Sequence, residues 1–503
     1  MRKPGAEMIS KSPFQRCFVF MIQLLLLLML ASAAPANAGE TAPGFFRYPH
    51  TDGESVIFTS EGDLWKVSLD GGTAVRFTTH EGEERFPHFS PDGKLIAFSG
   101  QDDGQDDIYV LPASGGEPRR LTYHPWRDQV LGWDPDGNVV FRSARDIPYR
   151  GYRIYHVSPD GGWPESIGLD KGSLISYEPD GSRIAFNRYS REFRNWKGYK
   201  GGWAQDIWVG DMSKMVFENI TDNPAVNDWD GTDAFPMWHT DGRIYFLSDR
   251  DGRANIYSMN PDGGDVRRHT DHKKFDVRWP SLGQGIIVYQ NGMDIWYLDI
   301  GTGENRMVGI NLPTDRVQAR DKIIDPAKYI TDFSLSPDGR RVLLCARGEL
   351  FTVPARGKGL LRQLTFTSGV RDKFPNWSPD GGQIAAWSDA TGEEVLYLYP
   401  STGGEPVKIG TDGRGWHYPP VWSPDGKRIA YSNEELELIV IDAKKGEPKV
   451  IDTGAWEIRD YRWSPDSRYL VYCSPDENEF NVIKIWDSAG DQVRQVTDGF
   501  FNS

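Results

Sequence analysis

The chain has 503 residues, enough for two or three domains with sizeable buried cores. Its 57 Lys and Arg stand against 72 Asp and Glu, a formal net charge of −15; this excludes nucleic acid as a main partner, because phosphate binding needs a basic surface, and otherwise favours solubility. Hydrophobic residues at 38%, aromatics at 13% and 18 Trp exclude a disordered chain, while 54 Gly and 33 Pro beside so many aromatics suit short strands joined by tight turns.

The first element in chain order is an address rather than a fold. Residues 2–16 carry Arg2, Lys3, Lys11 and Arg16 against the single acid Glu7. Residues 17–30 (CFVFMIQLLLLLML) are apolar apart from Gln23, and ASAAPANA follows, with Ala36-Asn37-Ala38 as a small-x-small cleavage site. Basic, apolar, then small residues is the layout of a secretory signal peptide. The alternative, an uncleaved anchor, meets the difficulty that this apolar run falls short of the roughly 20 residues of a spanning helix. No Cys follows the run at the cleavage site, which argues against a lipid anchor. The reading is a signal peptide over residues 1–38, no stable membrane span, and a mature chain in the periplasm or secreted.

Past Gly39 one phrase recurs. It reads FPHFSPDGKLIAFSG from Phe86, FPNWSPDGGQIAAWSD from Phe374 and YPPVWSPDGKRIAYSN from Tyr418, with weaker copies between. The turn residues Gly93, Gly137, Gly181, Gly242, Gly339, Gly381, Gly426 and Ser467 mostly lie 40 to 45 apart; Gly53 heads an earlier copy and Gly285 a degenerate one. Each copy predicts an aromatic-rich strand, a Pro-Asp-Gly turn in which Pro presets φ and Gly accepts positive φ, and an apolar strand such as Leu95-Ile96-Ala97-Phe98. A third strand (Ile108-Tyr109-Val110) and a Gly-turn leading to a basic-Leu-Thr strand complete it. Four short antiparallel strands per 40-odd residues make one blade of a β-propeller, and so regular a phrase disfavours a β-sandwich.

Ten copies exceed the usual four to eight blades of one ring. The interval from Gly285 to Gly339 is longer than the rest and holds NLPTDRVQARDKIIDPAKY, polar and charged with Pro near both ends, which reads as a linker. The expected organisation is all-β: a six-bladed β-propeller over residues 39–310, a linker over 311–328, and an incomplete second β-propeller over 329–503. Cys345 and Cys473 occupy the same place in two different repeats. The reading makes them buried strand residues too far apart for a disulfide.

Repeats of this kind occur in TolB periplasmic proteins, dipeptidyl-peptidase-like propellers and tricorn proteases. The copy at Gly181 carries an insertion between Asn187 and Trp208, RYSREFRNWKGYKGGWAQDIW, which stretches the next interval to 61 residues. Its phrase Trp196-Lys197-Gly198-Tyr199-Lys200-Gly201-Gly202, the six-blade ring before a linker, and a second ring opening with TDFSLSPDGRRVLLCARGELFTVPARG resemble the tricorn protease family over essentially the whole mature chain. The resemblance implies a six-bladed and a seven-bladed propeller ahead of a mixed domain, a PDZ domain and a serine-protease domain. In that arrangement the propellers gate peptide entry and product exit in an oligomer. The chain then holds four blades of an expected seven in its second ring, lacks the PDZ and protease domains, and carries no catalytic residue of the family. The family also anchors a substrate C-terminus on basic residues of a first-ring loop, and Arg127 in HPWRDQV is the nearest candidate here. Two other readings stay open: a TolB-like propeller that binds proteins without catalysis, and the propeller of a prolyl-oligopeptidase-type serine hydrolase.

No Gly-x-Ser-x-Gly string marks a serine nucleophile. The nine His are scattered; His88 and His239 sit in the turn phrase as replaceable strand residues, and His269 with His272 makes too few ligands for zinc. The acidic run from Asp228 to Asp233 lacks the distant Glu of an EF-hand and reads as a turn, as does QDDGQDD at residues 101–107. No metal and no cofactor is expected. The insertion is the exception: Arg188, Arg191, Arg194, Lys197 and Lys200 among Phe193, Trp196, Tyr199 and Trp203 could hold a peptide carboxylate or a partner subunit. Arg194 and Lys197 are its candidate binding residues, against the alternative of a loop packing on its own propeller.

Overall fold

A computed structural model describes residues 44–499 except residue 103 and residues 148–150, 194–202, 223–230, 317–319, 368, 411–414 and 477–479. The signal-peptide reading of residues 1–38 lies outside these. No described helix is long and apolar enough to cross a membrane. The described chain is almost all-β, with a 3-10 turn at Pro326–Tyr329.

Ten four-stranded antiparallel sheets follow one another, numbered here 1 to 10 in chain order. Their first strands are Arg47–Thr51, Glu84–Phe89, Asp128–Trp133, Leu174–Tyr177, Asp233–Trp238 and Val277–Gly283 in sheets 1 to 6. In sheets 7 to 10 they are Ile330–Leu335, Asp372–Trp377, Val421–Trp422 and Tyr461–Trp463.

Three local devices explain why the repeated phrase gives this meander. In the turn, the Ser90 hydroxyl donates to Asp92 Oδ1 at 2.7 Å and accepts from the Leu95 amide at 2.9 Å. Gly93, at φ +70°, closes the turn through its amide on the Ser90 carbonyl. The same Ser-to-Asp bond recurs at Ser336, Ser378, Ser423 and Ser464, so Ser-Pro-Asp-Gly is a self-satisfying turn and not merely a flexible one. The degenerate copy at Gly285 substitutes a two-residue turn, Gln284 and Gly285 both at positive φ, the geometry that matches strand twist. Two residues past the fourth strand, a Thr hydroxyl accepts an amide at the start of the third strand, at 2.9 Å in six sheets from Thr78 on Leu64 to Thr497 on Ile483.

Second strands read as continuous apolar runs because both their faces are covered. Ile96 and Phe98 pack toward sheet 1 with Ile57 and Leu64; Ala97 packs toward sheet 3 with Val130 and Phe141. Equivalent cores join sheets 3 and 4 (Val140, Ile184), 4 and 5 (Ile207, Phe246) and 5 and 6 (Ile256, Tyr289). A further core joins sheet 6 to sheet 1, uniting Ile295 and Tyr297 with Phe58 and Trp65. There Ile310–Asn311 pairs in parallel with Gly72–Thr73. The last four sheets share three cores, between 7 and 8, 8 and 9, and 9 and 10. Arg253 of sheet 5 links the two regions, 3.0 Å from Glu393 and 3.3 Å from the Gly392 carbonyl.

The cysteines fall at matching strand positions, Cys345 in Arg341–Ala346 and Cys473 in Tyr469–Pro475. Cys345 is buried and donates to the Asp372 carbonyl, whereas Cys473 is only half-buried, because sheet 10 has a neighbour on one side alone among the described residues.

Candidate functional site

Sheets 1, 2, 5 and 6 each open with an aromatic residue followed by Pro: Tyr48-Pro49, Phe86-Pro87, Phe235-Pro236 and Trp279-Pro280. The aromatic residue stands at φ between 50° and 56° and the pairing register shifts around it, a β-bulge. Pro has no N–H to withdraw from the ladder there. The bulge re-aims the rings, and they meet: Trp279 lies 4.8 Å from Tyr48, 5.2 Å from Phe86 and 5.7 Å from Phe235 between ring centroids.

First strands of all six sheets line a cavity of about 550 Å³. The four rings bound it at the end where the strands begin, and the turn residues Asp52, Asp92, Asp134 and Glu178 line it where they finish. Those carboxylates are paired, for example Asp92 with Lys94 at 2.9 Å and Glu178 with Arg183 at 2.7 Å, contacts that hold both acids below the usual carboxylate range.

Two histidines face each other on the wall between sheets 1 and 2. His50 and His88 have ring centroids 4.7 Å apart. Burial pushes the His88 imidazole down to about 4, and burial together with His88 depresses His50 well below its ordinary value. Both are therefore neutral at physiological pH, and His50 Nδ1 accepts the Phe89 amide at 3.3 Å. His88, read from the sequence as a replaceable strand residue, is a wall of the cavity.

The opposite wall carries an unsatisfied donor. Five first strands end in Trp, and three of these donate the indole N–H to a carbonyl of the preceding sheet, Trp133 to His88, Trp422 to Asn376 and Trp463 to Val421, while Trp377, like Trp238, finds no acceptor. Trp238 lines the cavity and its indole N–H is buried with no acceptor. The preceding first strand, Leu174–Tyr177, has no bulge, and its Ser176 hydroxyl takes the Trp238 backbone amide instead.

Among its described residues, the insertion brings Phe193 to this site and no basic side chain. Phe193 reaches the aromatic cluster, 4.6 Å from Trp279 and 5.3 Å from Phe235. It is placed by its neighbour Glu192, whose carboxylate pairs with Arg142, both groups buried, while Arg142 also donates to Gln129 Oε1 and to the Ser173 carbonyl. A second cavity, about 190 Å³, lies beyond Phe193 and Arg278 and is bounded by Glu192, Asp249, Asp276 and Glu394.

Of the residues singled out by sequence, Arg194 and Lys197 lie outside the described residues, as do Trp196, Tyr199, Lys200 and residues 228–230. Arg127 is exposed on the loop entering the third first strand, 4.0 Å from Asp106, and does not line the cavity. Arg188 and Arg191 lie over Trp208 and Trp203. His269 pairs with the Ser258 hydroxyl and His272 with the Tyr289 hydroxyl, so each has its own partner. Asp107 of the QDDGQDD run is buried against Arg120 and Thr122, and Asp233 against Arg250, so both serve as anchors rather than turn tips. Among the described residues, no group of three His, Cys, Asp or Glu is placed to hold a metal. Phe193 was visible only as one aromatic of a mixed segment. The recurrence of aromatic-Pro at one place in the repeat was the signal available for the other four rings.

Comparison with known proteins follows this division. The tricorn protease N-terminal beta propeller domain matches residues 43–304 and the tricorn protease second beta propeller domain matches residues 330–503. Tricorn protease homolog 1 of Streptomyces coelicolor is 30% identical over 486 residues, covering 91% of this chain and 43% of that protein. The tricorn protease homolog of Saccharolobus solfataricus is 30% identical over 461 residues, 90% of this chain and 41% of its own length. A crystal structure of the tricorn protease superposes with a TM-score of 0.50 at 25% identity, over 92% of this chain and 45% of that one. The chain thus spans less than half the length of these relatives. With the first of the two propeller domains alone accounting for more than half of its residues, this chain belongs to the tricorn protease family.

Proposed function

We propose that the chain is the peptide-gating part of an exported tricorn-like serine protease. In this reading residues 39–310 form a closed six-bladed propeller, residues 311–328 the linker, and residues 329–503 four blades of a larger second ring. The catalytic serine-protease and PDZ domains belong to the remainder of such a protein, and this chain binds peptides or unfolded segments without cleaving them. Export to the periplasm or exterior rests on residues 1–38, and assembly into a homo-oligomer on the family alone. Arg127, with Arg194 and Lys197, is the proposed anchor for a peptide carboxylate.

The observation that carries this reading is the cavity bounded by all six first strands and obstructed at one end by aromatic rings. Such a path admits an extended chain and excludes a folded one. Fluorescence anisotropy of a labelled unstructured peptide with the purified chain tests it. Binding is expected, with no hydrolysis, and Leu131→Trp, which fills the cavity from its wall, should weaken it at least about tenfold. Equal affinity in the variant would place the peptide elsewhere. A reporter enzyme fused behind residues 1–38 tests export, with cleavage expected after Ala38.

A further inference from the structure

We propose that the five rings centred on Trp279 form a polarity filter across the channel, passing neutral and cationic peptide segments and rejecting acidic ones, with Phe193 as the displaceable ring. This rests on the channel reading above. Tyr48, Phe86, Phe235 and Trp279 line the larger cavity and Phe193 lines the smaller, so the cluster stands between the two. Trp279 touches each of the other four rings.

The five are not equivalent. Four sit on first strands, fixed by ladder bonds on either side of a bulge. Sheets 3 and 4 have no aromatic-Pro at that place; they present Val130-Leu131 and Leu174-Ile175. Phe193, packed in one cluster with Leu131 and Leu174, fills the missing sector. It lies in no strand and is positioned by the Glu192–Arg142 pair. Losing it removes two ring contacts and leaves every ladder intact.

The selectivity follows from ring chemistry. Aromatic faces carry negative potential and attract cations, and Arg278 already lies 5.0 Å over Phe193. An acidic side chain entering the cluster gives up water for ring faces whose own negative potential repels it. It also meets carboxylates on both sides: Asp52, Asp92, Asp134 and Glu178 on one, with no Lys or Arg among the described lining residues, and Glu192, Asp276 and Glu394 on the other, where Arg278 is the cation beside them. Apolar and aromatic side chains instead replace ring contacts with similar ones.

A locking assay tests this. The probe is an unstructured peptide of about 30 residues, roughly 100 Å when extended, carrying biotin at both ends and rich in either lysine or aspartate. After equilibration with the full chain, streptavidin caps both ends, so that only a threaded peptide survives a chase with excess unlabelled peptide. The lysine-rich probe is expected to lock and the aspartate-rich probe not to. Phe193→Ala should lock the lysine-rich probe about tenfold faster, two ring pairs being lost, and Phe193→Trp no faster than the native chain. Equal locking by native chain and Phe193→Ala, equal locking of the two probes, or binding without locking even in Phe193→Ala/Trp279→Ala would each overturn the filter. A singly tagged peptide that fails to bind at all would instead overturn the channel itself.

Discussion

One repeated phrase builds both regions of this chain, yet the first six sheets and the last four bury it differently. In sheets 1 to 6 each sheet shares a core with the one before and the one after, and sheet 6 packs back on sheet 1. In the last four, sheets 7 and 10 each share a core with one neighbour among the described residues. The contrast is plain in the first strands. Asp233–Trp238 is buried throughout, whereas in Ile330–Leu335 the Phe333 side chain is 78% exposed. Strand, turn and ladder are thus local properties of the phrase, while burial belongs to the neighbour on each side. Repeat architectures behave this way, as sums of unit stabilities and nearest-neighbour interfaces.

The largest test of that contrast is a pair of matched truncations. Phe58→Ala, in the core joining sheets 1 and 6, should cost about 3–5 kcal/mol, while Phe333→Ala should change stability by no more than about 0.5 kcal/mol. Urea unfolding followed separately for the two regions reads both; a Phe333→Ala loss comparable to that of Phe58→Ala would mean that sheet 7 has a covering partner in solution. A smaller effect should be the same in both regions. Thr122→Val and Thr365→Val each strand one buried amide, on Ile108 and Leu350, and each should cost about 1–3 kcal/mol. Markedly unequal losses would show that the cap depends on the neighbouring sheet after all.

The smallest is a change in slope with pH. Burial raises Asp233 in sheet 5 to about 7 and Glu434, near sheet 9, to about 9. A carboxyl whose folded pKa is raised holds its proton longer when folded, so it stabilises below the unfolded pKa and that contribution is lost as pH rises. For Asp233 the loss is complete near pH 7; for Glu434 it continues toward 9. Lys373, lowered to about 8 by burial, acts in the opposite sense above that pH. Between pH 7 and 8 the last four sheets should therefore lose unfolding free energy while the first six hold theirs, and Glu434→Gln should flatten the trend. A flat native profile would place Glu434 in contact with water.

Much of this was legible before any coordinates. Ser-Pro-Asp-Gly predicts its own turn because hydroxyl, carboxylate and glycine all act within a few residues. The aromatic-Pro, apolar-run and basic-Leu-Thr segments predict four strands for the same reason. The candidate site was legible only in pieces. Tyr48 and Trp279 are 231 positions apart in sequence and their rings are 4.8 Å apart in space, and nothing in either copy of the phrase says that its ring leaves the sheet face at a bulge. The insertion drew attention to its charges, since clustered Arg and Lys in an acidic chain stand out. Its described contribution is a phenylalanine, held by a glutamate that finds Arg142 fifty residues earlier in the sequence.

The sequence by itself determined the strands, the turns between them, the repeat and the family, because each depends on residues within one blade-length of chain. Only the tertiary structure decided which faces are covered, that His50 and His88 are neutral wall residues, that Trp238 lacks an acceptor, and that five rings converge on Trp279. These depend on which sheet stands beside which and on how six first strands line one cavity, and the repeated phrase, being nearly the same in every copy, carries almost no information about its neighbours.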